Sequence, residues 1–330
     1  MRAYIYHRYG PPDVLRLEER SKPVPIAGEV LIRVRAASVN PYDWHCLRGD
    51  PFLVRLVAGL AKPNDPRLGA DLCGEVEAVG PGVTQFKPGD AVFGMGKGAY
   101  ADYACAPAFQ LGLKPAGTSF EQSAAVPIAG LTALQALRKA GLAQDAASGR
   151  SLLSNVLING GSGGVGTFAV QIAKAFGAHV TAVCSTRNVE MVRGLGADRV
   201  IDYAKEDFTR TADGYDVIVD NVANRGLLAC RHILKPNGSY VVTGTSARRW
   251  VILRVMVQGL AQVVLSLSGS RKFHSMLAKA NTADLSILAD LMAAGKLTPV
   301  IDRRYPFAEL PEAIRYVETG HARAKVVVTL

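Results

Sequence analysis

A run of glycines set between an apolar strand and an amphipathic helix narrows the folds open to this chain more than anything else in it. Val156-Leu-Ile158 is a short β-branched run that leads into Asn159-Gly-Gly-Ser-Gly-Gly-Val-Gly166. Phe168, Ile172 and Phe176 then recur at helical spacing until Gly177. A G-x-G-x-x-G match alone is weak. Between a strand and a helix it has a physical purpose, because missing side chains let the backbone approach a pyrophosphate while the helix N-terminus offers N–H groups to the anion.

The surrounding sequence alternates in the same sense. Val180-Thr-Ala-Val183, Arg199-Val-Ile201, Val217-Ile-Val219 and Tyr240-Val-Val-Thr243 are short and apolar, as buried parallel strands are, with Ala/Leu-rich helical windows such as Ala129 to Ala140 among them. This predicts an α/β chain with a Rossmann doubly wound parallel sheet over residues 125–298. Residues 1–124 read differently. Val30-Leu-Ile-Arg-Val-Arg35 opens a stretch punctuated by Pro-Gly and Gly-rich turns, which predicts a mostly β domain. A helix over roughly Ala283 to Ala294 closes at Gly295, and residues 299–330, ending in Lys325-Val-Val-Val-Thr-Leu330, are expected to rejoin the first domain.

Composition sets limits on function. A chain of 330 residues exceeds what one core usually supports, so two domains are expected. The net charge is +10, but the basic residues are scattered and make no cluster, so a basic surface that favours a phosphate-rich cofactor is the simpler reading and no nucleic-acid partner is expected. Cys46, Cys73, Cys105, Cys184 and Cys230 lie far apart with no C-x-x-C pair, and the first residues lack an apolar export core, which together predict a reducing, cytoplasmic location.

An NAD-preferring fold places an acid about 20 residues past the glycine loop to bind the ribose 2′-hydroxyl. None occurs between Thr167 and Val189. The second strand ends instead in Cys184-Ser185-Thr186-Arg187, two hydroxyls and a guanidinium suited to a 2′-phosphate, so the expected cofactor is NADPH.

These segments, with Gly196-Ala-Asp-Arg-Val-Ile-Asp-Tyr203, Tyr215-Asp-Val-Ile-Val-Asp-Asn221, Gly74-Glu-Val-Glu-Ala-Val-Gly80, Pro88-Gly-Asp-Ala-Val-Phe-Gly94, Ala99-Tyr-Ala-Asp-Tyr103, Ile301-Asp-Arg-Arg-Tyr305 and His321-Ala-Arg-Ala-Lys325, resemble the zinc-independent quinone oxidoreductase branch of the medium-chain dehydrogenase/reductase superfamily over nearly the whole chain. The resemblance implies a GroES-like first domain. It implies an oxidoreductase that moves a hydride from NADPH to a small-molecule quinone or activated α,β-unsaturated carbonyl, in a homodimer or homotetramer. Two other readings stay open: an NADPH-binding redox sensor or a crystallin-like or RNA-binding structural protein without turnover, and an alcohol dehydrogenase.

By the same resemblance Asn40 lies by the nicotinamide, with Tyr42, Asp43 and His45 lining the cleft nearby, and all four are catalytic candidates. Asp43 equally suits a cap for a helix starting near Trp44, Tyr42 a half-buried aromatic and His45 a satisfied surface residue. Cofactor contacts carry over as Gly163, Gly164, Val165 and Gly166 at the pyrophosphate, and Ser185, Thr186, Arg187 and Tyr203 around the adenosine phosphate. Asn221, Thr243 and Gly244 are placed toward the nicotinamide, and Thr132 and Lys325 are further cofactor candidates. No metal is expected. The zinc ligands of alcohol dehydrogenases would fall at Asn40-Pro-Tyr-Asp43, Gly69-Ala-Asp-Leu-Cys-Gly74 and Ile128-Ala-Gly-Leu-Thr132, and the ligand residues are not there. His45 and Cys46, with Asp43 and Cys73, have the wrong spacing to converge.

Residues 247–267 are the stretch this template leaves unexplained. They are long and apolar, yet Arg254, Gln258, Gln262 and Ser266 recur every four residues, which argues against a membrane span and predicts an amphipathic helix. It would be buried, intersubunit, or a peripheral membrane contact.

Overall fold

The computed structural model describes residues 1–142, 154–211, 213–244 and 270–330. They form two compact units, Met1–Leu131 with Ala280–Leu330, and Thr132–Lys279.

The first unit opens with an antiparallel ribbon of β1 (Arg2–Ile5) and β2 (Arg16–Glu19). In its long strand β3 (Glu29–Val39) Ile32 and Val34 are buried while Arg33 and Arg35 face solvent, a local period-2 pattern, and Ala36 to Val39 are buried on both faces. β4 (Asp71–Val79) and β6 (Tyr103–Pro107) pair antiparallel with β3, and β5 (Ala91–Met95) links β4 to β7 (Leu111–Leu113). Helix α1 (Pro41–Arg48) leaves β3 with Pro41 at its first position and ends at Gly49 in the left-handed region.

Helix α2 (Pro127–Lys139) leads into the second unit. There β8 (Asn155–Asn159), α3 (Gly164–Ala175), β9 (His179–Cys184), α4 (Val189–Gly194), β10 (Arg199–Asp202), β11 (Tyr215–Asp220), β12 (Leu234–Val242) and β13 (Lys272–Ser275) follow in chain order. The strands lie in the order β10-β9-β8-β11-β12-β13, every neighbouring pair parallel. This is the doubly wound sheet the apolar runs predict, with one strand more: β13 has only Phe273 buried and gives no apolar run to read. Leu157, Val183, Ile201, Ile218, Tyr240 and Phe273 meet in its core.

The chain then returns through α5 (Thr282–Ala293), whose N-cap Asn281 Oδ1 accepts the Asp284 N–H at 2.8 Å, and Gly295 follows it at φ +66°. The sequence reading puts this helix in the second domain, but it packs on β7 in the first unit. The pattern of α5 shows a buried face without saying what covers it. β14 (Ile301–Pro306), α6 (Leu310–Glu318) and β15 (Lys325–Thr329) complete the unit, β15 pairing antiparallel with β3 and completing the order β14-β15-β3-β4-β5-β7. Residues 247–267 lie outside the described residues, and no described helix is long and apolar enough to cross a membrane.

Candidate functional site

In the second unit the glycine loop joins β8 to α3. Gly160 has φ +80°, where an L side chain is strained, and its N–H and that of Gly161 donate to the Val183 carbonyl at 3.1 and 2.9 Å. A Cβ on Gly166 would lie 2.0 Å from the Gly160 carbonyl oxygen, so the loop closes on the helix only because that carbon is missing. Gly163 is the N-cap of α3, and Gly164, Val165 and Gly166 are its first residues. Gly164, Val165 and Gly166 carry the backbone N–H groups that a helix start leaves without intrahelical acceptors, while the Gly163 N–H already donates to the Gly160 carbonyl at 3.0 Å.

At the C-terminal ends of the neighbouring strands, β9 and β10 pair with Cys184 opposite Asp202, which brings Ser185, Thr186, Arg187 and Tyr203 together. Arg187 is exposed and the Tyr203 N–H donates to the Cys184 carbonyl at 3.1 Å. Asp202 is hidden in the sequence because an NAD-type acid is expected at the end of the second strand, whereas strand pairing delivers this one from the third. The Thr186 hydroxyl donates to Asp202 Oδ2 at 2.7 Å and holds that carboxyl below its usual range, so Thr186 has given its one proton to a carboxylate instead of facing a phosphate. The other Asp202 oxygen accepts the Ala204 N–H at 3.0 Å, and Lys205 Nζ lies 3.7 Å from Oδ2.

Across the sheet, Asn221 and Thr243 are joined by a 2.7 Å bond from the Thr243 hydroxyl to Asn221 Oδ1, and a Cβ on Gly244 would come within 2.5 Å of the Asn221 carbonyl oxygen. Asn221 Nδ2 in turn donates to the Asn159 carbonyl at 3.0 Å. The buried Asp220 ties these ends by accepting from Asn159 Nδ2 and the Tyr240 hydroxyl at 2.8 and 2.7 Å. Thr132 is buried in α2, at the first residue of the unit.

The first unit gathers a second set of residues. Asn40, Asp71 and Lys325 are buried, and one hydrogen-bonded network holds them. Lys325 Nζ donates to Asn40 Oδ1, while Asn40 Nδ2 donates to Asp71 Oδ2 at 2.9 Å. Asp71 also accepts the Ser38 hydroxyl at 2.8 Å and the Ile128 N–H at 3.0 Å, with the Lys325 ammonium 3.6 Å away. Burial lifts the Asp71 carboxyl and lowers the Lys325 ammonium, and each opposes the shift of the other. Lys325 and Asn40 meet across the β15–β3 pairing, 285 residues apart in the chain.

Asp43 sits beside this network, fully buried, where Oδ2 accepts the Asn40 N–H at 2.7 Å. Helix α1 therefore starts three residues before Trp44, and Asp43 caps it from the third helical position instead of preceding it. Its Oδ1 has no hydrogen-bond partner, and the Tyr100 hydroxyl nearby donates to the Ser38 carbonyl at 3.3 Å. Burial pushes the Asp43 carboxyl up to about 7, against the pull of the Asn40 N–H. Tyr42 is 56% exposed, and His45 stacks on Trp44 with Nδ1 against the Asp50 carbonyl, so neither joins the buried network. Ser38, Asp71 and Tyr100 were not singled out. Asp71 stands in Gly69-Ala-Asp-Leu-Cys-Gly74, which was read only for missing metal ligands.

Comparison with known proteins decides the family. The mouse mitochondrial NAD(P)H oxidoreductase RTN4IP1 is 35% identical over 361 residues, spanning 100% of this chain and 89% of the relative. The chain belongs to the medium-chain dehydrogenase/reductase superfamily, in its quinone-oxidoreductase-like branch. This medium-chain dehydrogenase/reductase is also 36% identical to the 2-methylene-furan-3-one reductase of Solanum lycopersicum, over 99% of this chain and 79% of that one. The profile of the alcohol dehydrogenase GroES-like domain matches residues 26–116, and one described as zinc-binding dehydrogenase matches residues 195–328. Among solved structures, the quinone oxidoreductase from Coxiella burnetii superimposes with a TM-score of 0.84 at 31% identity, covering 100% of this chain and 99% of that one. Mycobacterial Rv1454c complexed with NADPH superimposes with a TM-score of 0.78 at 25% identity, covering 100% of both.

Proposed function

We propose that this member of the superfamily transfers a hydride from NADPH to a quinone, or to the β-carbon of an activated enone or enal, with no metal ion taking part. The observation that carries the metal-free reading is the Asn40–Asp71–Lys325 network. At the three places where the resemblance puts zinc ligands stand an amide, a carboxylate already accepting from Ser38, Asn40 and the Ile128 N–H, and a stretch of α2. The Lys325 ammonium already stands against that carboxylate. Zinc takes three or four converging ligands, and no group of three or more His, Cys, Asp or Glu that could hold a metal occurs among the described residues. The donor set does not fit zinc, and the reaction is accordingly assigned an acceptor that needs little polarisation.

NADPH, when bound, supplies the hydride from C4 of its nicotinamide. Gly163, Gly164, Val165 and Gly166 hold its pyrophosphate on the start of α3, and the tight closure of the loop on that helix supports this, because a Cβ at Gly166 would lie 2.0 Å from the Gly160 carbonyl oxygen. Ser185 and Arg187 take the 2′-phosphate, with Tyr203 beside the adenosine. Asp202 is held in this reading by the Thr186 hydroxyl and the Ala204 N–H, with the Lys205 ammonium 3.7 Å away, and is not assigned to the ribose. Asn221, Thr243 and Gly244 orient the nicotinamide end, with Thr132 in the same unit. Asp43 holds a proton near neutral pH. Tyr42 lines the acceptor side, and His45 is the weakest candidate because its Nδ1 is already engaged. All five cysteines are free thiols, which supports a reducing compartment, the cytoplasm in our reading.

The test is a panel of small quinones, short enals and long-chain enones assayed with NADPH and NADH in parallel. Turnover of at least one class with at least a tenfold preference for NADPH is the expected result. Saturable nucleotide binding with no turnover across the panel contradicts the proposal.

A further inference from the structure

We infer that Asn188 is a positioning residue that sets two serine hydroxyls, Ser162 in the glycine loop and Ser185 after β9, as outward-facing donors for the two phosphate sites of the cofactor. The inference rests on the NADPH reading and adds a residue to it. Asn188 Nδ2 lies 3.0 Å from Ser162 Oγ and 3.1 Å from Ser185 Oγ. A primary amide has two N–H groups, one for each serine, and a hydroxyl that accepts such a bond still has its own proton to donate. Phosphate oxygens accept and do not donate, so a serine oriented this way presents what a phosphate needs. Were the hydroxyls instead donating to the asparagine, neither would have a proton left for the cofactor.

Three features separate this arrangement from ordinary helix capping. Asn188 is the last residue of a 3-10 turn, Thr186–Asn188, that runs straight into α4, and with helical backbone angles instead of the extended ones of a capping residue its side chain bonds nothing in the first turn of α4. It is 5% exposed and its Oδ1 is buried without a partner, so the side chain leaves its acceptor unsatisfied while its donors reach two different loops. Those loops end adjacent parallel strands, β8 and β9, and they carry the pyrophosphate and 2′-phosphate groups respectively in the proposed binding mode. The neighbouring Thr186 hydroxyl is committed to Asp202, which leaves Ser185 as the hydroxyl of this turn that can face a 2′-phosphate.

Equilibrium binding of 2′,5′-ADP and of 5′-AMP to the full chain, measured by calorimetry, reads this without turnover. Asn188→Asp replaces the donor amide by an acceptor and forces both serine protons inward. It should weaken 2′,5′-ADP at least tenfold, and Asn188→Ala should weaken it less. In a Ser162→Ala/Ser185→Ala background the Asn188→Ala change should alter affinity by less than twofold, because the groups it orients are gone. Should the Asp variant not fold, the Ala variant and this cycle decide alone. Affinity retained within twofold in folded Asn188→Ala, or an equal loss with and without the serines, overturns the inference and leaves the NADPH reading standing. Wild-type protein that does not prefer 2′,5′-ADP to 5′-AMP overturns the NADPH reading and the inference with it.

Discussion

Arg187 and Asp43 are the residues at which the account is most exposed to a single substitution. Arg187→Ala removes one charge-assisted phosphate contact, worth about 1.5–3 kcal/mol, so NADPH efficiency should fall about tenfold or more while NADH efficiency stays within about twofold. Equal loss with both nucleotides in steady-state assays would place Arg187 elsewhere. Asp43 makes a prediction about pH. Its carboxyl rises from 3.8 to about 7 on burial, so the folded state holds a proton that the unfolded chain has released between those values. The associated stability is present below pH 3.8 and is lost as pH rises through about 7. Asp43→Asn keeps an oxygen for the Asn40 N–H but does not ionise. Between pH 5 and 8 the wild-type urea midpoint should drop more than that of the variant, by roughly 1 kcal/mol or more in stability. Parallel pH profiles for the two proteins would show that Asp43 does not titrate there. Asp43 was legible as a cap and a site candidate. Its perturbation was not, because it comes first from burial, which only the fold creates, with Asp71 adding to the rise and Tyr100 opposing it.

In the proposed binding mode the glycine loop holds the pyrophosphate, and its glycines should differ in what they tolerate. A Cβ on Gly166 would meet the Gly160 carbonyl at 2.0 Å, so Gly166→Ala must displace the loop from the helix and should lower both nucleotide affinity and thermal stability. A Cβ on Gly163 meets nothing closer than 3.4 Å, so Gly163→Ala should keep the melting temperature within a few degrees yet weaken NADPH by crowding the pyrophosphate. Identical behaviour of the two variants in paired melting and titration experiments would refute this division. The loop, its flanking strand and helix, and five of the strands were readable because each is local: an apolar run, a glycine, a helical period. Asp202 and Asn188 were not. Asp202 comes to the end of β9 through the β9–β10 register, and Asn188 meets Ser162 only through the folding of β8 beside β9. The side to which α5 packs was misread for the same reason, since amphipathic spacing does not name the partner.

For the whole molecule, the return of the C-terminal strand to the first unit brings Lys325 to Asn40 and Asp71, and with it the metal-free reading. Lys325→Met would leave the Asp71 carboxylate buried without its cation, a change that typically costs about 3–5 kcal/mol. Adding Asp71→Asn should recover part of that loss in chemical denaturation, and a double variant no more stable than Lys325→Met would argue that the pair is not coupled. The motif resemblance named Lys325 and Asn40 as cofactor residues, but their mutual contact depends on strands far apart in sequence. The most direct test of the central claim is transfer of deuterium from NADPH labelled at nicotinamide C4 to an enone, using protein dialysed against chelator and followed by mass spectrometry of the product. One deuterium retained at the β-carbon, at a rate unchanged by chelation, is the predicted result. Product without deuterium, or activity that disappears on chelation and returns only with zinc, would contradict it.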